Sequence, residues 1–355
     1  MIGLSEVVMD YLHNELYQED VRVSCEGILG IKSLFEKRIL ITGATGLIGS
    51  FLVDMLRYLN RHYEACIQIY AVSRHYYSLE ERFGKQGSGL HFVVGDICNE
   101  IELVSPIDYV VHAAANSYPA LFREDPTGTI MKSVEGTRNV LEKAKKCGAK
   151  RFIFISSGEV YGQYANSSVA HCESENGMVD ILSPRSCYPL GKQVAENLCV
   201  CYGKQYDLPI VIARLCHTFG PNAVESDNRA HMQFIRKASS HNPIILKSKG
   251  LQERSYLYIA DSATAIFSIL IRGEDWQAYN VASGETITIR DFAKACADLS
   301  ECDIEIQLPT ENELIETSPI ERQVLDGGKL KELGWKAQFS IREGIKHSVQ
   351  VLWTL

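Results

Sequence analysis

The sequence predicts an α/β protein built on a doubly wound parallel sheet, with a smaller carboxy-terminal lobe. Three observations carry that prediction. Apolar runs of strand length alternate with helix-length stretches from Arg38 to Pro221. The run "FIFISS" at 152–157 reads as a buried strand that ends abruptly in a polar loop. Beyond Pro221 the elements become shorter and more mixed. The expected division is therefore an amino-terminal helical extension over 1–35, the main α/β domain over 36–220 and the smaller lobe over 221–355, with some interleaving of segments.

Taken in order, residues 1 to about 35 hold one or two short helices. "RILITGATGLIGSFLVDMLRYL" from Arg38 is a strand, a glycine turn and an amphipathic helix. "IQIYAVSR", "LHFVVGDI", "YVVHAAA" and "RFIFISS" supply strands two to five. The stretch "TGTIMKSVEGTRNVLEKAKKCG" before the fifth strand is helical and stops in Lys and Gly, as helices commonly do. The helix "GKQVAENLCVCYGKQY" leads into a sixth strand, "LPIVIARL". Such alternation gives a parallel sheet with helices on both faces.

Composition narrows the function. The 355 residues are 46% hydrophobic, enough for a sizeable core, and no run approaches the roughly 18 apolar residues of a membrane span. The first twenty residues lack the basic and apolar blocks of a signal peptide, so a cytoplasmic protein is expected. Net charge is −8 with both signs interspersed, which argues against nucleic acid as a partner. An anionic ligand must then be held by a few placed groups. The eleven cysteines show no paired spacing that suggests zinc, and no metal is expected; they read as free thiols of a reducing compartment.

Gly43, Gly46 and Gly49 follow a strand and open a helix. That setting lets the backbone approach a pyrophosphate seated on the helix's amino-terminal dipole, so a dinucleotide cofactor is expected. Asp96, at the end of the third strand, is placed to meet an adenine or else to cap a helix. Where a carboxylate for the ribose 2′-hydroxyl would stand, the second strand ends in Ser73-Arg74. Arg74 either faces a 2′-phosphate, which leans the choice of NAD or NADP slightly to NADP, or is simply solvated.

Tyr188 and Lys192 lie four apart on an expected helix, hence on one face. A lysine ammonium and a nicotinamide cation near a phenol both favour the phenolate. A tyrosine so tuned can take a proton from a sugar hydroxyl as hydride leaves, with Ser157 sharing that hydroxyl's hydrogen bond.

With the glycine turn, "SSGEVYG", Tyr188 with Lys192, "RSYLYIAD" at 254–261 and "LGW" at 333–335 all in order, the sequence resembles the extended short-chain dehydrogenase/reductases, the nucleotide-sugar epimerase, dehydratase and decarboxylase family, over residues 37 to 350. "GMVDILSPRSCYPLGK", "SYPALFREDP" and "ERSYLYIAD" look most like UDP-glucuronate decarboxylases. The resemblance implies a Rossmann-type domain with a carboxy-terminal substrate lobe, a tightly bound NAD or NADP, a nucleotide-diphosphate sugar as substrate, and a homodimer. It places catalysis on Ser157, Tyr188 and Lys192, with Glu159 as acid/base beside the sugar. It assigns the cofactor to Gly43, Gly46, Leu47, Ile48, Gly49, Arg74, Asp96, Ile97, Ala113 and Ala114, together with Tyr188 and Lys192. Asn116, Ser117, Tyr118, His217, Arg229, Arg254 and Arg322 would line the substrate site, the last two arginines on the diphosphate.

Three positions depart from the family pattern. Dehydratases usually carry Asp-Glu after the catalytic hydroxyl, and here the first is Gly158. Pro189, Leu190 and Gln193 replace the polar residues that decarboxylases carry around the lysine, and His217 replaces an asparagine. Because Glu159 is retained, the expected reaction is a lyase working through transient C4 oxidation, decarboxylase-like or 4,6-dehydratase-like. A 4-epimerase, a 4-keto-sugar reductase and a non-catalytic cofactor-binding scaffold are the other readings.

Overall fold

The computed structural model of the chain describes residues 11–87, 89–102, 106–162, 169–307 and 320–355; the first ten residues of the expected amino-terminal extension lie outside that set. Strands β1 (Arg38–Thr42), β2 (Gln68–Ser73), β3 (Leu90–Val94), β4 (Tyr109–His112), β5 (Arg151–Ser157) and β6 (Ile210–Leu215) are the six that the sequence predicts. After these come β7 (His217–Phe219), β8 (Ile244–Leu246), β9 (Glu253–Tyr258) and β10 (Ala278–Val281). The main sheet has seven strands in the order β10-β6-β5-β4-β1-β2-β3, every neighbouring pair parallel. The chain winds outward from β1 through β2 to β3, then returns to β4 and winds the other way. That reversal opens a crevice beyond the carboxyl ends of β1 and β4, where doubly wound sheets bind ligands.

Both faces of the sheet are covered. Helices α1 (Glu15–Glu26), α2 (Leu47–Tyr63), α3 (Tyr76–Phe83), α4 (Pro119–Glu124), α5 (Pro126–Met131), α6 (Thr137–Lys146), α7 (Cys187–Tyr206), α8 (Ala230–Ser239), α9 (Ile259–Arg272) and α10 (Ile289–Ser300) run in chain order. Ile39 and Ile41 of β1 point into one core cluster with Phe51 and Leu52 of α2 and Ile266 and Phe267 of α9. Leu40 between them points into a second, with Val140 and Leu141 of α6 and Ala195 and Cys199 of α7. The two-residue side-chain period of the strand thus feeds two apolar layers. The long helix expected before β5 is α5 and α6 joined by a π-helical segment, Lys132–Gly136.

The amino-terminal helix α1 is tied into the fold through buried polar groups. The Tyr17 hydroxyl donates to Asp54 Oδ2 at 2.8 Å, and Tyr258 donates to Asp20 Oδ2 at 2.6 Å. All eleven cysteines are free; Cys199 is buried and Cys201 exposed, on different faces of α7. Among the described residues no helix is long and apolar enough to cross a membrane.

Candidate active site

A cleft of about 670 Å³ opens at the carboxyl ends of β1, β4 and β5. Its first wall is the glycine turn. Gly43 has φ of +67°, and a Cβ there would come within 2.9 Å of the Ala114 backbone at the end of β4. At Gly49 a Cβ would sit 2.2 Å from the Gly43 carbonyl oxygen. Only residues without a side chain let β1, β4 and α2 close up this tightly. Thr42 and His112 set the approach from below: Thr42 Oγ1 lies 2.8 Å from His112 Nδ1 and accepts from the Ala114 N–H at 3.2 Å. Burial, with the charge of Lys192, pushes the His112 imidazole down to about 3, so it stays neutral. Helix α2 starts at Leu47 with Gly46 as a cap that offers no side-chain acceptor, so its first N–H groups face the cleft. Asn116, at the same mouth, has a buried Nδ2 with no partner. A glycine cradle, an uncapped helix start and an unspent donor fit a dinucleotide.

Asp96 and Ile97 line the cleft at the end of β3; Asp96 Oδ1 accepts from the Cys98 N–H at 2.9 Å, closing a turn. Arg74 is exposed at the cleft edge, with no carboxylate at ion-pair distance among the described residues.

The second wall is the end of β5. Ser157 terminates the strand, and its Oγ accepts from the Glu159 N–H at 3.2 Å, which folds Gly158–Tyr161 into a 3₁₀ turn and turns Glu159 to the cleft. Tyr161 points the other way. It is 1% exposed, donates to Asn280 Oδ1 at 2.8 Å and accepts from Arg214, whose guanidinium clamps Glu196. That buried network anchors the turn from behind.

Tyr188 and Lys192 lie in the first turns of α7, both buried and both on the cleft. Tyr188 stacks on Phe122, with ring centroids 4.7 Å apart at 17°. The Lys192 ammonium donates to the Ile155 carbonyl at 2.7 Å, and burial pushes it down to about 8. Burial and the Glu159 carboxylate push the Tyr188 phenol up to about 12, against the pull of Ser157, Arg229 and Arg185. The expectation that lysine lowers this phenol therefore needs a qualification. Lys192 turns its charge to a backbone carbonyl, and in the protein alone desolvation outweighs every positive charge near Tyr188.

Residues of the segments after β6 close the third side. Arg254 is 4% exposed and donates to the carbonyls of Glu253, Ile320 and Glu321, with no carboxylate at ion-pair distance among the described residues. Arg229 clamps the buried Asp227 through Nε and Nη2. His217 stands beside them, its imidazole kept neutral by burial and by Arg254. Leu47, Ile48, Ala113, Ser117 and Tyr118 complete the lining. Of the residues assigned to catalysis, cofactor or substrate from the sequence, Arg322 alone is absent from it: it donates to Glu253 Oε2 at 2.8 Å and to the Val169 carbonyl at 2.9 Å.

Residues 39–282 match the family model for the NAD-dependent epimerase/dehydratase family. The chain belongs to that family. Within it, the chain is 30% identical to UDP-glucuronic acid decarboxylase 6 of Arabidopsis thaliana over 315 residues, covering 87% of this chain and 86% of that protein. It is also 30% identical to UDP-glucuronic acid decarboxylase 1 of Danio rerio, covering 88% and 72%. Among solved structures, UDP-glucose 4-epimerase of Thermotoga maritima superposes with a TM-score of 0.74 at 24% identity, covering 88% and 98%. The dTDP-glucose 4,6-dehydratase of Streptomyces venezuelae gives 0.74 at 23%, covering 88% and 96%. The fold is thus that of the epimerase/dehydratase family.

Three features of this family member were not singled out in its sequence. Arg185, inside the quoted "SPRSCY" motif, donates to Glu159 Oε2 at 3.0 Å. Phe122 is the ring under Tyr188. Leu325 fills the space beside Gly158, where a Cβ would meet its Cδ1 at 2.9 Å and Cδ2 at 3.1 Å. A charged partner opposite Glu159 could have been sought in the polar run before Tyr188; no sequence signal links positions 158 and 325.

Proposed function

We propose that this protein decarboxylates a nucleotide-diphosphate uronate through transient oxidation at C4. The observation that carries the reading is the pair Gly158 and Glu159. Glu159 faces the cleft near the Tyr188 phenol, while position 158 is a glycine with the Leu325 side chain packed against it. The cleft keeps a group able to protonate C5 and lacks the neighbour suited to expelling a 6-hydroxyl.

A nicotinamide dinucleotide held by the glycine turn and the start of α2 would supply the reversible hydride acceptor that oxidation at C4 needs. Tyr188 takes the C4 hydroxyl proton, and Ser157 holds the oxygen through a second hydrogen bond. The resulting C4 ketone makes C6 a β-keto carboxylate. The C5–C6 bond breaks, CO₂ leaves, and the electron pair moves into the C4 carbonyl as an enolate that Tyr188 and Ser157 stabilise. Glu159, the carboxylate paired with Arg185, then relays a proton from solvent to C5. Arg254, a buried cation with no carboxylate at ion-pair distance among the described residues, would receive the diphosphate.

The finer cofactor choice rests on Arg74. With no acid at the end of β2, its exposed guanidinium favours the 2′-phosphorylated dinucleotide. The π-interrupted helix pair α5–α6 packs beside α7 and leaves Met131 and Val194 exposed at 43% and 50%, which supports pairing of two copies through these helices. A cytoplasmic setting accords with the free thiols.

Glu159→Gln tests the reading. The amide keeps the shape but cannot move the proton, so reduced cofactor should accumulate in a single turnover while the later step slows by about 10²-fold or more. Equal slowing of both steps would make Glu159 a positioning group and remove the support for a lyase.

A further inference from the structure

We propose that Arg185 is the residue that selects an acidic sugar, receiving the C6 carboxylate beside Glu159. The inference rests on the reading of the cleft as a nucleotide-sugar site and adds the group that recognises the acid.

Arg185 sits on the 3₁₀ turn Pro184–Ser186 that leads into α7, and it lines the cleft with its side chain 34% exposed. Two contacts fix it. Nη2 donates to Glu159 Oε2 at 3.0 Å, and Cζ lies 4.9 Å from the centroid of Phe122, the ring that stacks on Tyr188. Arg185, Phe122 and Tyr188 form one assembly, so the guanidinium is held in register with the phenol that must meet O4. Its charge and that of Glu159 both reach that phenol. A group on C5 is one carbon from C4 and so comes within reach of a guanidinium held beside that phenol.

The charges then decide what that group can be. A uronate carboxylate placed against Glu159 alone would be repelled. A guanidinium has five donors in a planar fork, and among the described residues only Nη2 of Arg185 has a hydrogen-bond partner. Nε and Nη1 are left for a second carboxylate, and a cation between two anions removes the conflict. The other arginines near Tyr188 and the lobe are more fully engaged. Arg229 is bidentate to Asp227, and Arg254 is held by three backbone carbonyls.

The test is calorimetric binding of UDP, UDP-glucose and UDP-glucuronate to the full-length, cofactor-loaded wild type and to Arg185→Gln and Arg185→Lys, with melting curves as a check on folding. Wild type should prefer UDP-glucuronate to UDP-glucose. Arg185→Gln should lose roughly 10- to 100-fold in affinity for the uronate, the size of a hydrogen bond to a charged group, while UDP and UDP-glucose change less than about twofold. Arg185→Lys should recover part of the loss. An equal effect on both sugars, no effect, or a wild type without preference for the acid overturns the assignment. The product mass from UDP-glucuronate separates the two ideas. Loss of CO₂ without discrimination by Arg185 sinks only this inference, whereas intact discrimination without loss of CO₂ sinks only the decarboxylase reading.

Discussion

Replacing Lys192 with methionine removes a charge that the fold buries at a cost, and keeps much of the side-chain volume. Burial lowers the ammonium from its ordinary 10.5 to about 8, with Glu196 opposing only in part. At 1.36 kcal/mol per factor of ten, that difference is worth about 3 kcal/mol. The variant also strips the Ile155 carbonyl of its donor, which returns about 1–3 kcal/mol of penalty. At pH 7 the two nearly offset, and Lys192→Met should be as stable as wild type or about 1–2 kcal/mol more stable. Below pH 8 the ammonium is present in both folded and unfolded chains, and the burial cost is felt in full. Between 8 and 10.5 the unfolded chain binds the extra proton, so wild-type stability rises with pH relative to the variant, by about 3 kcal/mol in all. Urea unfolding of both proteins at several pH values, read as the difference between them, cancels the other titrating groups. Turnover should fall by about 10²-fold or more, because the ammonium 6.0 Å from the Tyr188 ring centroid is no longer there to join a nicotinamide cation in favouring the tyrosinate. A variant destabilised by more than about 2 kcal/mol at every pH would refute this, and Lys192 would then be a structural tie.

Three further outcomes follow from the same geometry. Tyr188→Phe should lower turnover by about 10²–10⁴-fold while the melting temperature stays near wild type, because the ring keeps its place on Phe122; more than a tenth of wild-type activity would exclude Tyr188 as the base. Arg74→Ala should weaken NADP binding far more than NAD binding in a titration of each, and an equal effect would return Arg74 to a solvated role. Light scattering should give the mass of two chains, and a monomer at all concentrations would rule out pairing through α5–α6 and α7.

What could be read from the sequence was what depends on local pattern. The strands β1 to β6 are apolar runs with polar ends, and the glycine turn and the Tyr188/Lys192 pair have fixed spacings that survive whatever the rest of the chain does. The strand β10 was missed: four residues from 278 to 281, reached after a lobe of short elements, show no run long enough to stand out, and its pairing with β6 spans more than sixty positions. The π segment at Lys132–Gly136 was equally hidden, since one widened turn leaves the helical periodicity almost intact. The site divides the same way. Ser157, Glu159, Tyr188 and Lys192 were legible because strand end and helix start present them. The filling of the Gly158 side by Leu325 was not, because it is a packing contact between segments 167 positions apart. Arg322 illustrates the converse: its place in the sequence suggested the diphosphate, and the structure spends it on Glu253.

The central claim is that the cleft takes CO₂ from a uronate. Incubating the cofactor-loaded protein with UDP-glucuronate and weighing the nucleotide-sugar product tests it most directly. The product should be lighter than the substrate by the mass of CO₂, with no net reduction of the cofactor at the end of the turnover. A product lighter by the mass of water, or one of unchanged mass with the C4 configuration inverted, would contradict it.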